Sequence, residues 1–161
     1  MRPQAHTAAS LIVGSPGPQS LPEAALCLLC GHLPDFDRSV ARRLGVRRRD
    51  HHRWVSHSFA GWFGPTAVAL RAARGRRAAG PVRRAAASLW VHLLLDTYAD
   101  GIAWLWPVRK EKIGLFRKPP EIVDRGWRTP APLSTELGRA ELAMWVVAGL
   151  RAAQRRRGRA R

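Results

Sequence analysis

Three short segments hold most of the residues in this chain that are equipped for chemistry. His92-Leu-Leu-Leu-Asp96 lies inside the most apolar stretch of the sequence. On a helix, positions i and i+4 share one face, so this imidazole and carboxylate either reach one cation or form a structural hydrogen bond. Asp100 continues the same stripe by one more turn. Burying such groups among Leu, Val and Trp costs several kcal/mol unless they are paired or bound to metal. The second segment, His51-His52-Arg53-Trp54-Val55-Ser56-His57-Ser58, holds three of the six histidines. His52 and His57 would lie about 140° apart on one helix, so they face a single site only if His52 sits in a loop or first turn. In the third, Leu33-Pro34-Asp35-Phe36-Asp37, Pro34 fixes a turn and the alternating acids offer either a helix cap or one inward carboxylate.

Cys27 and Cys30 form a C-x-x-C pair in the apolar run Leu-Cys-Leu-Leu-Cys-Gly. A structural zinc module needs a second pair, and a redox pair needs surroundings that lower a thiol pKa. The two thiols therefore read as small core hydrophobes.

These residues need elements to position them. Ser20-Leu-Pro-Glu23 reads as a capping box opening a helix through Leu29, closed by Gly31, with a turn over 33–37. A short helical stretch is expected over 39–44 and an exposed loop over 45–49. From 51–58 a further helix begins, interrupted or kinked at Gly64-Pro65, and runs on towards 74. Residues 75–80 read as a basic linker, Pro81 as a helix start, and 85–98 as the central buried helix. Gly114, Pro119 and Pro120 make 108–130 loop-rich, with room for a small hairpin. A last helix is expected over 134–156. The predicted architecture is all-α, with one domain over 1–150 and a basic tail over 151–161. A chain of 161 residues buries about two-thirds of its unfolded surface, enough for a real core.

The formal net charge is +17, from 28 Lys and Arg against 11 Asp and Glu. Eighteen arginines fall into three runs, at 38–49, 71–84 and 151–161. Such a surface suits nucleic acid or an anionic bilayer, although charge runs are more often simply solvated. No uninterrupted apolar stretch is long enough for a clear transmembrane helix, and residues 14–18 break the N-terminal apolar run too early for a cleaved signal peptide.

Taken in order, Gly31-x-Leu-Pro-Asp-x-Asp37, His52-Arg-x-x-Ser-His-Ser58 and His92-x-x-x-Asp96, followed by Gly101 and Trp106-Pro107, resemble the YdjM-type family of membrane-associated metal-dependent hydrolases. That family is similar to the zinc-dependent phospholipase C and single-strand nuclease superfamily, whose helical fold carries a cluster of metal ions. The resemblance covers about residues 6–107. It implies Asp35, His52, His57, His92 and Asp96 as metal ligands, with His6 as an N-terminal addition. It also implies a divalent cofactor, Zn2+ first, and an anionic phosphoester substrate of phospholipid or nucleotide type. Arg53 matches the family arginine and suits a bidentate phosphate contact, and Asp37 matches the second acid of the turn. Asp37 and Asp100 are the residues expected to orient water or a ligand.

The expected function is therefore phosphoester hydrolysis by metal-activated water, in a protein held peripherally or weakly inserted at the cytoplasmic side of a membrane. The competing expectation is a non-catalytic basic protein that coats nucleic acid or an anionic membrane surface.

Overall fold

The computed structural model describes residues 3–14, 20–45, 52–115 and 133–159. The helices are α1 (Pro3–Val13), α2 (Leu21–His32), α3 (Asp37–Arg43), α4 (Phe59–Ala73), α5 (Ala79–Ala99) and α6 (Glu136–Arg159). Short 3-10 turns cover Leu33–Phe36 and Val55–His57. Among the described residues there is no strand, only an isolated antiparallel bridge from Ile102 to Ile113. The all-α expectation holds.

α5 is the central element. It packs on α2, α1 and α4, and α1 is sandwiched among α2, α5 and α6. The interfaces are built largely from small residues: Ala5, Ala8, Ala9, Ala41, Ala85 and Ala99 are all buried. One apolar cluster joins Ala5, Ala99 and Leu137 across α1, α5 and α6, with Leu95, Tyr98 and Met144 against it. A second joins Leu89 and Leu93 to Ile102, covered by Cys30, Trp62, Trp90 and Trp104. Cys27 is buried and Cys30 partly so, and burial raises both thiol pKa values, as expected of thiols that pack rather than react.

Several boundaries differ from the sequence expectations. α1 was not foreseen, because an alanine-rich helix carries no stripe of large apolar residues to betray its period. The Ser20–Glu23 capping box is present, with both reciprocal bonds and Pro22 in the first turn. Gly31, however, does not close α2. The backbone stays helical through the Leu33–Phe36 turn into α3, and Gly31 serves close packing instead: an added Cβ would overlap Ser10 Oγ on α1. Over the described residues 52–58 the segment before α4 forms short 3-10 turns rather than the start of that helix. α4 starts at Phe59, where Ser58 Oγ caps it by accepting from the Gly61 N–H. Gly64-Pro65 does not interrupt it, and Pro65 lies inside a continuous helix. α5 begins at Ala79 rather than Pro81, and α6 extends to Arg159, so most of the basic tail over 151–161 is helical. Of the loop-rich segment 108–130, residues 116–130 lie outside the described residues, as do residues 46–49 of the loop expected over 45–49.

Candidate metal centre

Asp96 is the hub. It sits on the last turns of α5, fully buried, one helical turn after His92. Its Oδ2 lies 3.1 Å from His92 Nε2, 3.5 Å from His52 Nε2 and 3.5 Å from His57 Nε2, while its Oδ1 lies 3.2 Å from His6 Nε2. Four imidazoles from three separate parts of the chain thus converge on one carboxylate. Asp35 Oδ1, from the 3-10 turn after α2, is 3.9 Å from His57 Nε2 and extends the group.

Each element brings its histidine in for a local reason. α1 contributes His6 because its alanines let it lie flat against α5, where the His6 and His92 rings stack with centroids 3.8 Å apart. His52 and His57 reach the site from two short turns, which meets the condition that they not share one helix. The Ala103 N–H donates to the His52 carbonyl at 3.0 Å, tying this turn to the loop after α5. Trp62 Nε1 donates to the Ser56 carbonyl at 2.7 Å and holds the second turn against α4.

The far sides of His92 and His57 are also engaged. His92 Nδ1 is 2.6 Å from the Gly31 carbonyl, which only accepts, so Nδ1 carries a proton and Nε2 is turned towards Asp96. His57 Nδ1 is 3.1 Å from Asp37 Oδ2, which also accepts from the Ser56 hydroxyl. A histidine fixed at Nδ1 by a carbonyl or carboxylate, with Nε2 turned inward, is the pattern metal-ligating histidines require.

Protonation follows the same logic. Burial outweighs the Asp96 charge at His6 and lowers its pKa to about 4. Burial lowers His52 as well. At Asp96 burial opposes ionisation, but the positive charge around it, the N-terminal ammonium first and then His6 and His92, prevails and holds the carboxyl well below the usual range. Burial likewise opposes a charge on His57, yet the Asp37 and Asp96 carboxylates win and raise it to about 9. An ionised carboxylate beside neutral imidazoles is ready for a cation, and His57 would release its proton when one binds.

Do the residues fit a metal? Ligand atoms about 2.0–2.2 Å from a common ion lie roughly 3.0–3.5 Å apart in octahedral or tetrahedral arrangements. The 3.1–3.5 Å separations around Asp96 fall in that range. Neither His6 Nε2 nor His92 Nε2 makes a hydrogen bond of good geometry, although both are buried. Two groups result: Asp35, His52, His57 and Asp96 form one, His6, His92 and Asp96 the other, and both can hold a metal ion.

The sequence-predicted residues are distributed unevenly about this centre. Asp35, His52, His57, His92, Asp96 and His6 come together. Asp37 stands behind His57. Arg53 is exposed next to His52, and Asp100 caps the end of α5, where its charge bears on His52. Ser56, the Gly31 carbonyl and His32 were missed. His32 Nε2 lies 2.9 Å from Thr7 Oγ1, with its ring 6.3 Å from that of His6. The signal for His32 was its position inside the Gly31-x-Leu-Pro motif. Ser56 and Gly31 are themselves letters of the ordered motifs, but spacing alone does not turn a motif letter into a role.

A family model described as YdjM inner membrane protein matches residues 1–155. This chain belongs to the YdjM family. The YdjM match reaches well past residue 107, where the three motifs end, and takes in most of α6. No curated protein and no solved structure matches the chain. The YdjM family is named for the inner membrane, yet among the described residues no helix is long and apolar enough to cross one.

Proposed function

We propose that this protein is a metal-dependent hydrolase of phosphoesters, peripherally associated with the cytoplasmic side of the inner membrane. The observation that supports the catalytic part is that Asp96 belongs to two ligand groups, each able to hold a metal ion. Zn2+ suits a set of histidine nitrogens and carboxylate oxygens. A divalent ion held there supplies water acidified towards neutral pH and charge stabilisation for a phosphoryl oxygen. The membrane part rests on the family name and on the lack of a spanning helix among the described residues.

The chain's own residues take distinct parts in this reading. Asp35, His52 and His57 hold one cation, His6 and His92 the other, and Asp96 both. Asp37 orients His57, and the Gly31 carbonyl orients His92. Asp35, with 13% of its side chain exposed, is the most exposed of the ligands, and Arg38, 3.3 Å from its carboxylate, is the cation beside it. Arg53 and the exposed arginines of α3 attract the anionic substrate, and Asp100 orients a polar group near His52.

The test is elemental analysis of purified protein beside His92→Ala and Asp96→Ala variants, each checked for folding by circular dichroism. Stoichiometric metal in the parent, a fall in both folded variants and hydrolysis of a chromogenic phosphodiester by the parent alone are the expected results. No metal in the parent after reconstitution with Zn2+, Mn2+ or Fe2+ overturns the reading.

A further inference from the structure

The course from α2 through the 3-10 turn into α3 has two unlike faces. Cys27, Gly31, Pro34, Asp37 and Ala41 turn inward and are buried. On the opposite side Leu26, Leu29, Leu33, Phe36, Val40 and Leu44 recur at intervals of three and four residues, each between 37 and 68% exposed. That interval follows one side of a helical path, so these six side chains form a continuous apolar stripe in water. Arg42 and Arg43, both exposed, flank its α3 end.

We propose that this stripe is the surface by which the protein lies on an anionic phospholipid bilayer, with the leucines and Phe36 entering the acyl boundary and the arginines meeting the headgroups. The proposal rests on the membrane association inferred above but not on the metal reading. Charge decides between occupants. A second copy would bring Arg42 and Arg43 of both chains together in proteins that each carry +17, whereas an anionic bilayer neutralises them. Nucleic acid would satisfy the arginines but leave an aliphatic stripe against polar groove edges, with nothing to desolvate it. A basic helix face bearing Leu and Phe at helical spacing is the form interfacial helices take.

The placement also bears on access. Asp35, the most exposed ligand of the candidate metal centre, falls in sequence between Leu33 and Phe36 of the stripe. Docking by this face therefore sets the turn that carries Asp35 beside the headgroup phosphates.

The experiment is co-sedimentation of the full chain with phosphatidylcholine vesicles and with vesicles that also contain phosphatidylglycerol, for the parent, Leu29→Ser/Phe36→Ser, Val40→Ser/Leu44→Ser and Val68→Ser/Leu70→Ser on α4. All these positions are exposed, and circular dichroism checks each fold. Expected are binding to the anionic vesicles, roughly tenfold or greater loss in both stripe variants, and parent-like binding in the α4 variant. Metal content, measured on the same samples, should not change with the stripe. Binding that survives both stripe variants overturns the surface while leaving membrane association intact. Failure of the parent to bind any vesicle overturns both. A dimer dissolved by the stripe substitutions assigns the face to a second copy and also overturns the proposal. Loss of metal in the parent bears on the hydrolase reading alone.

Discussion

At His6 and His57 the same buried cavity drives two imidazoles in opposite directions, and the metal-free protein should record it. His6 titrates at about 4 in the fold against 6.5 unfolded, so the folded state binds fewer protons, and its contribution is present above pH 6.5 and lost as pH falls towards 4. His57 titrates at about 9, so its contribution is present below 6.5 and lost as pH rises towards 9. Thermal unfolding of chelator-treated protein should therefore show greatest stability near pH 6.5, falling by an amount on the order of 3 kcal/mol towards either limit from these two groups. His6→Asn should flatten the acid side only. At this scale the sequence was informative about identity and poor about arrangement. His92 and Asp96 declared their pairing by spacing, whereas His6 stood alone in Ala-His-Thr, and nothing local distinguishes a histidine stacked on another ring from a solvated one. Only the ordered motifs of the family linked it to the rest.

Ser58 shows how an element boundary can carry part of a site. Its buried hydroxyl donates to the Val55 carbonyl at 2.8 Å and accepts from the Gly61 N–H at 3.1 Å, so one side chain ends the turn that presents His57 and begins α4. Gly61 sits under that turn, and a Cβ there would run into the Val55 backbone. Ser58→Ala should cost about 1–2 kcal/mol in urea unfolding, as lost buried caps do, and should weaken metal retention against a chelator more than Ser20→Ala, whose exposed cap is remote from the centre. The two caps were not equally legible. Ser20 is followed by Pro22 and Glu23, a signature with few other meanings, and was placed correctly. Ser58 is preceded by apolar residues that resemble a helix already begun, so the start of α4 was read several residues early. The turn won because His52 and Ala103 anchor the preceding backbone through a hydrogen bond that no local pattern announces.

For the molecule as a whole, the core is thin in large side chains and depends on close helix contact. Leu137 is one of the few large residues of α6 to be buried, and it closes the Ala5 and Ala99 cluster. Leu137→Ala should lose roughly 2–4 kcal/mol in denaturant unfolding, because neighbouring alanines cannot swing in to fill the space. Under native conditions it should keep its metal, since α6 contributes no residue to either ligand group. The all-α class was legible from helix formers and scarce strand alternation, and α5 was recognised as central from its apolar run. The stacking of α1 between α2 and α6 was not, because small residues pack by shape, and shape is not written in hydropathy.

The guanidinium of Arg151 donates to the Ile12 carbonyl at 2.6 Å, joining α6 to the end of α1 across 139 positions of sequence. α1 carries His6. In synthesis α1 is made before α6, so this contact can form only once the chain between them has been made, whereas α2 and α5 offer α1 their own contacts earlier. On the metal reading proposed above, the ligand group that includes His6 would then be the one most sensitive to loss of α6.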